Sequence, residues 1–155
     1  MSYVHGRSVG NLNEFNSYLA NYPSPVILPD RVSYLPGDIP NRFLAWGTVR
    51  LPWNFRIMPK VEYRSGFPYS PLNVYQSYNG AANQARFPGF IAVDARVSKD
   101  FKISPKYTMR LSVVGSNLSN HFNPVSVYAS AGVPQSGLFF GAYRRRYTAD
   151  FDVIF

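Results

Sequence analysis

Residues Gly6-Arg7-Ser8-Val9-Gly10 have the Gly-x-Ser-x-Gly spacing of a nucleophile elbow. In that motif the serine lies on a sharp turn between a strand and a helix, and an acid and a histidine further along the chain complete the catalytic apparatus. Here an Asn-rich segment stands where the helix would begin. We interpret the match as chance or as the end of a strand, and we expect no enzyme activity.

Metal chemistry would depend on the two histidines, His5 and His121, because the chain contains no cysteine. A zinc site would need both of them, together with carboxylates, in one place. Histidines in a loop or in the wall of a sheet are the simpler interpretation. The sequence therefore predicts no metal and no other cofactor.

Three carboxylates, Asp94, Asp150 and Asp152, could be imagined as acid–base groups. They share their predicted strand faces with three arginines: Arg96, Arg110 and Arg146. Charge pairing on that face is the plainer interpretation. Because the sequence does not fix the strand register, it assigns no particular pairs.

The densest basic run is Tyr143-Arg144-Arg145-Arg146-Tyr147. Arginine interleaved with aromatic residues is found in nucleic-acid sites, whereas the guanidinium group also binds phosphates such as those of lipopolysaccharide. A solvated loop base could carry the same run. All three interpretations stay open for this run, and Arg144, Arg145 and Arg146 are candidate lipopolysaccharide contacts.

The composition limits the class of protein. The 155 residues fit one domain, and only 15% are charged, against about 25% in an average protein. Aromatic residues make up 17%, and 13 Pro and 11 Gly favour turns over long helices. The net charge of +8 is spread along the chain, so we expect no nucleic-acid partner.

Six segments alternate apolar and polar residues, which indicates strands with two different faces. The clearest is 54–64, with Phe55, Ile57, Pro59, Val61 and Tyr63 on one face. The others are 42–51, 91–98, 107–114 and 146–155, with a weaker one at 3–9. Their polar faces carry half of the 24 charged residues.

The connections between these segments alternate in length. Those at 10–41, 65–89 and 118–143 are long, and those around Pro52 and at 102–105 are short. A compact soluble domain rarely holds three structureless loops longer than ~15 residues, whereas outer-membrane barrels combine short periplasmic turns with long extracellular loops. The sequence predicts an all-β fold, an antiparallel up-and-down meander of about six long strands.

Aromatic residues gather at the predicted strand ends, as membrane–water interfaces require. At the short-turn ends they are Trp53, Phe55, Phe101, Tyr107 and Phe155, and near the long loops they are Tyr63, Phe67, Phe90, Tyr143 and Tyr147. An apolar row facing lipid and a charged face lining a watery lumen fit a transmembrane barrel. We therefore expect an outer-membrane location with lipid and lipopolysaccharide as partners.

The last nine residues, Tyr147-Thr148-Ala149-Asp150-Phe151-Asp152-Val153-Ile154-Phe155, resemble the C-terminal signal of bacterial outer-membrane proteins. That signal is an alternating apolar strand that ends in an aromatic residue. The resemblance implies recognition by the barrel-assembly machinery through Tyr147, Phe151, Val153 and Phe155.

Internal stretches look like the last strands of TonB-dependent receptors, in particular large ones with a carboxypeptidase-like regulatory domain. They are Pro40-Asn41-Arg42-Phe43, Tyr63-Arg64-Ser65-Gly66-Phe67-Pro68-Tyr69-Ser70, Arg86-Phe87-Pro88-Gly89-Phe90, Val93-Asp94-Ala95-Arg96-Val97-Ser98-Lys99 and Asn117-Leu118-Ser119-Asn120-His121-Phe122-Asn123-Pro124. The resemblance covers most of residues 40–155. It implies that residues 1–155 are the C-terminal part of a plugged barrel of about 22 strands.

In such a receptor the plug and the TonB-contacting segment lie upstream, so TonB would act only through those regions. The start Met1-Ser2-Tyr3-Val4-His5 has no apolar signal-peptide core, which is expected of a fragment, of a mis-called start codon or of a cloned segment. Two alternatives stay open: another outer-membrane barrel, such as a porin or an adhesin, and a soluble basic β-protein that binds anionic polymers. The transported substrate cannot be predicted from the sequence.

Overall fold

The computed structural model describes residues 1–14, 26–27, 32–75 and 77–155. Every regular element in these ranges is a β-strand, so they contain no helix that could cross a membrane. The strands are β1 (Ser2–His5), β2 (Val9–Gly10), β3 (Leu12–Glu14), β4 (Val26–Ile27), β5 (Ser33–Tyr34), β6 (Asn41–Trp46), β7 (Val49–Leu51), β8 (Phe55–Arg64), β9 (Pro68–Tyr69), β10 (Ala85–Arg86), β11 (Phe90–Lys102), β12 (Thr108–Ser116), β13 (Pro124–Val127), β14 (Phe139–Ala142) and β15 (Arg146–Ile154).

Six strands form one antiparallel sheet in the order β1-β6-β8-β11-β12-β15, and β7 continues the line of β6 beside β8. Neighbours in the sheet are also neighbours in sequence among the long strands, which confirms the predicted meander. The sheet does not close into a barrel. In the described part of the chain, β1 pairs only with β6, and β15 pairs only with β12.

The strand register separates the side chains into two faces. Ile57, Val97, Val113 and Ala149 lie opposite one another in a row across four strands. The next row consists of Arg56, Ser98, Ser112 and Asp150. Because successive residues of a strand point to opposite sides, these rows define an apolar face and a polar face, as the alternation predicts.

A proline explains why β6 and β7 are separate strands. Pro59 is in the middle of β8, opposite the break between Trp46 and Val49. Gly47 N donates to Pro59 O at 3.2 Å, but Pro59 has no N–H to return the bond. A central strand loses a ladder bond at such a position, so the pairing is interrupted there.

The short connections are tight turns. Residues 52–54 join β7 to β8, and Trp53 and Asn54 adopt positive φ angles of 58° and 61°. Between β11 and β12, the Ser104 hydroxyl accepts hydrogen bonds from the backbone N–H groups of Lys106 at 3.3 Å and Tyr107 at 3.2 Å. The predicted turns at Pro52 and Ser104 are therefore confirmed.

The long connections correct the sequence-based expectation of structureless loops. Two-stranded sheets form within each of them: β2–β5 and β3–β4 in the first, β9–β10 in the second and β13–β14 in the third. Pairing satisfies backbone groups that would otherwise depend on water. Residues 15–25 and 28–31 of the first connection lie outside the described residues.

The weak strand expected at 3–9 is also wrong in extent. β1 ends at His5, and residues 6–8 carry no strand before β2 begins at Val9. Gly6 N instead donates to Pro40 O at 3.0 Å. The chain leaves the large sheet at this point and enters the loop layer, which consists of the three long connections with their two-stranded sheets.

Candidate functional site: a sheet with an exposed apolar face

Burial in this chain is the reverse of that in a soluble domain. Among the described residues, the only buried hydrophobic ones are Ala82 and Ala92. The buried polar residues are Asp38, Asn83, Ser98, Ser112, Asn117 and Asn123. Soluble proteins bury Ile, Val, Leu and Phe and expose polar side chains, so this sheet has no hydrophobic core of its own.

The apolar face is open along β11, β12 and β15. Val97 is 40% exposed, Val113 is 49% exposed and Phe151 is 62% exposed. Leu111 and Val153 lie on the same face and are 47% and 51% exposed. A continuous apolar surface of this kind marks a site of contact with a membrane or a partner.

One cation, Lys99, lies on the apolar face near its short-turn end. Its Nζ atom is 4.7 Å from the ring centroid of Phe55 and 5.1 Å from that of Phe101. The aliphatic part of a lysine can follow an apolar surface while its ammonium group reaches the polar boundary. Lys99 is thus placed like a residue at the edge of an apolar band.

The polar face is crossed by ion pairs. Arg110 binds Asp100 through two atoms, with Nε–Oδ1 at 2.6 Å and Nη2–Oδ2 at 2.9 Å. Arg56 also approaches Asp100, at 3.6 Å. These side chains come from β8, β11 and β12, so the network spans three neighbouring strands and keeps these charged groups on one face of the sheet.

The three carboxylates singled out in the sequence lie on this polar face. Arg96 Nη2 is 3.5 Å from both Asp150 and Asp152, and Lys60 Nζ is 3.7 Å from Asp94. Each carboxylate therefore has a cationic partner, which confirms the predicted charge pairing.

Aromatic residues are exposed at both ends of the sheet. At the short-turn end, Trp53 is 81% and Tyr107 is 49% exposed. At the loop end, Tyr63 is 41%, Tyr143 is 39% and Tyr147 is 60% exposed. These five residues lie at the strand ends, as the strand assignments predict, and their place at a membrane interface stays a prediction.

The C-terminal residues proposed as an assembly signal lie on or beside the outermost strand. On β15, Tyr147, Phe151 and Val153 share the apolar face, opposite Gly115, Leu111 and Met109. Phe155 follows the strand and is 95% exposed. The four side chains thus lie at an edge that pairs with no further described strand, and their recognition stays a prediction.

The three consecutive arginines do not form one patch. Arg146 begins β15 and lies opposite Ser116 on the polar face, whereas Arg144 and Arg145 precede the strand. These two help to line a polar cleft of about 500 Å³ together with His121. The candidate lipopolysaccharide contact stays a prediction for all three.

The two histidines contact different asparagines. His5 Nδ1 is 2.9 Å from Asn41 Oδ1, and His121 Nδ1 is 3.0 Å from Asn123 Oδ1. In the described ranges no group of three or more His, Cys, Asp or Glu residues could hold a metal. Ser8 lies between two strands, not between a strand and a helix.

A buried ion pair in the loop layer was not anticipated from the sequence. Asp38 is 1% exposed and pairs with Arg86, and it also accepts a hydrogen bond from Ser8 N at 2.5 Å. Arg86 Nη1 donates to the carbonyls of Asp38 at 3.2 Å and Gly66 at 3.1 Å. The pair ties the first long connection to the second.

Two asparagines organise the third connection in a similar way. Asn117, which is fully buried, donates through Nδ2 to the carbonyls of His121 at 3.1 Å and Tyr143 at 2.6 Å. Asn123 accepts from Ile91 N at 3.0 Å and donates to Ile91 O at 2.7 Å. Both residues lie in the stretch 117–124. The resemblance of that stretch to a family pattern was the one sequence signal of their importance.

No protein-family model, curated protein or solved structure matches the chain.

Proposed function

We propose that the chain forms the membrane wall and outer loops of a Gram-negative outer-membrane β-barrel, as the C-terminal part of a TonB-dependent receptor that takes up a substrate. The observation that carries this proposal is the burial pattern of the large sheet. Its apolar face is exposed, and the charged residues of its other face form ion pairs with one another. Lipid would cover the first face, and water would fill the lumen beside the second.

The geometry supports a wall more than a complete channel. Strands β8, β11, β12 and β15 contain 10, 13, 9 and 9 residues, close to the ~9–11 that a tilted membrane strand needs. The described sheet has two unpaired edges, and a bilayer tolerates no open edge in its apolar interior. Further strands would therefore have to complete the wall.

Within such a wall, this chain would do two things. Its ion-paired face would keep the lumen side hydrated and charged, and its folded connections would form part of the outer surface that first meets a substrate. The receptor assignment itself rests on the sequence resemblance and not on the fold. A plug-encoding segment upstream in the gene is expected, and an upstream sequence without one would favour a porin or an adhesin.

Site-directed spin labelling tests which face meets lipid. The chain has no cysteine, so Ala149→Cys and Thr148→Cys each provide one attachment point, and both positions are exposed on β15. In the full-length parent protein, with any other cysteine replaced and the protein refolded into lipid vesicles, the label at 149 should be accessible to dissolved oxygen. The label at 148 should be accessible to a water-soluble nickel complex. Equal aqueous access at both positions would overturn the membrane assignment.

A further inference from the structure

Arg64 ends β8 next to the long loops, and its guanidinium forms no ion pair or hydrogen bond with another described residue. Its cross-strand neighbour on β6 is Arg42, and like charges opposite each other in a sheet are destabilising. Glu62, whose negative charge acts on Arg64, is engaged by Arg42 at 3.1 Å and by Lys60 at 3.5 Å. Lys60 also pairs with Asp94, but Glu62 already has two cationic partners, which leaves local positive charge at Arg64.

Two phenyl rings hold the Arg64 side chain. Its Cζ atom is 4.5 Å from the ring centroid of Phe67 and 4.5 Å from that of Phe90. Aromatic faces attract a guanidinium cation, but a phenyl ring supplies no oxygen acceptor for its five N–H donors. The group is therefore held in position and still able to donate hydrogen bonds.

Arg64 lines a cleft of about 250 Å³ whose other walls are mostly apolar. Phe87, Pro124 and Val125 are among its lining residues. Pockets for drug-sized ligands occupy about 300–1,000 Å³, so this cleft suits a smaller molecule. An apolar cleft with one donor-rich cation matches a ligand that has an apolar body and an anionic end.

The walls of the cleft are supported by the loop hairpins. The ring of Phe87 packs 5.4 Å from that of Tyr69 and 5.3 Å from that of Phe139. The backbone at Gly66 packs closely against that at Phe87. A Cβ atom at position 66 would lie only 1.7 Å from the Phe87 carbonyl oxygen. Such support preorganises a site, which reduces the ordering cost of binding.

We propose that this cleft binds a small organic carboxylate with an aromatic or aliphatic body. The carboxylate would accept two hydrogen bonds from the Arg64 guanidinium, and the body would pack against Phe87 and Pro124. That such a carboxylate is a ligand of the outer loops of a receptor rests on the proposed function. Binding itself requires only a folded cleft.

Fluorine NMR of fluorophenylacetate, titrated into the full chain refolded in an uncharged detergent, tests the proposal. Protein-free micelles correct for partitioning of the probe. We expect saturable binding, which Arg64→Gln should weaken about tenfold or more, the usual effect of losing a charge-assisted bond. Arg50→Gln removes the same charge from an exposed position at the short-turn end of the sheet and should leave binding unchanged.

Neutral fluorophenylacetamide should bind more weakly than the carboxylate. Arg64→Lys keeps the charge without the bidentate fork and should give intermediate binding, and it replaces Arg64→Gln if that variant does not fold. Absence of saturable binding, or equal binding by the two probes or by the wild-type and Arg64 variants, would overturn the cleft assignment. The spin-label accessibilities at 148 and 149 report on the membrane wall independently, so the two proposals can fail separately.

Discussion

At the scale of single residues, the important polar groups of this chain join distant segments. Arg86 reaches Asp38 across 48 residues of sequence, and Asn117 reaches Tyr143 across 26. A side chain that fixes two connections at once replaces part of the packing that a hydrophobic core would provide. The loop layer should therefore be sensitive to small polar changes.

Asp38→Asn should loosen the loop layer. The substitution removes the negative charge that faces Arg86, and losing a partner of a buried charged group costs roughly 1–3 kcal/mol. Partial exposure of Arg86, whose side chain is 27% exposed, keeps the cost below that of a fully buried pair. Urea unfolding of the refolded protein measures it. Asp150→Asn, in a more exposed pair, is the control, and equal losses would contradict the special role of Asp38.

Val93→Arg should impair assembly much more than Asp94→Asn. Val93 lies opposite Val61 on the apolar face, whereas its chain neighbour Asp94 lies opposite Lys60 on the polar face. An arginine near the bilayer midplane costs about 2–4 kcal/mol. The yield of folded full-length parent protein in detergent or lipid provides the measurement. Similar yields for the two variants would mean that the faces are wrongly assigned.

At the scale of elements, long strands were predictable from the sequence and short ones were not. The ten alternating residues of β8 define its two faces. Over that length, any period other than two would mix apolar and polar residues on the same face. β9 and β10 contain two residues each, too few for any periodicity to be recognised. The ion pairs and the Arg64 cleft depend on register and on loop folding, so neither could be derived from residue types alone.

Deleting Phe155 should lower the outer-membrane level of the full-length parent protein sharply. A truncated core Phe costs only about 3–5 kcal/mol even when it is fully buried, and Phe155 is 95% exposed in this chain. A large effect would therefore reflect recognition of the edge strand and not lost packing. Heat-modifiable protein in isolated outer membranes is the readout.

Ile154→Ala is the matched control for that deletion. Ile154 lies opposite Thr108 on the polar face, so its truncation leaves the apolar row of β15 intact. We expect a mild decrease for this variant. If the deletion and Ile154→Ala lower the level equally, the terminal strand does not act as an assembly signal.

At the scale of the whole molecule, the described residues combine an exposed apolar face with two strand edges, at β1 and β15, that pair with no further described strand. Either feature alone promotes association in water, and the net charge of +8 opposes it only through long-range repulsion. The described part of the long connections leaves the apolar face exposed and the outer edge of β15 unpaired. The stable environment of this sheet is therefore one that covers both.

Expressed alone in the cytoplasm, the chain should accumulate in inclusion bodies, because neither lipid nor neighbouring strands are present to cover those surfaces. Fractionation of the lysate and size-exclusion chromatography with and without detergent provide the test. A monodisperse monomer that is soluble without detergent would contradict the prediction. Such a result would favour the soluble basic β-protein considered above.

Pro59 in β8 affects which part of the sheet opens first. Because Pro59 returns no hydrogen bond to Gly47, the ladder between the β6–β7 line and β8 contains a weak point, while the register from β8 to β15 is continuous. Local opening begins where backbone bonds are fewest. The contact between the β6–β7 line and β8 should therefore open before the contacts between the strands from β8 onward. Gly47 and Thr48 lie at the weakest point of this ladder.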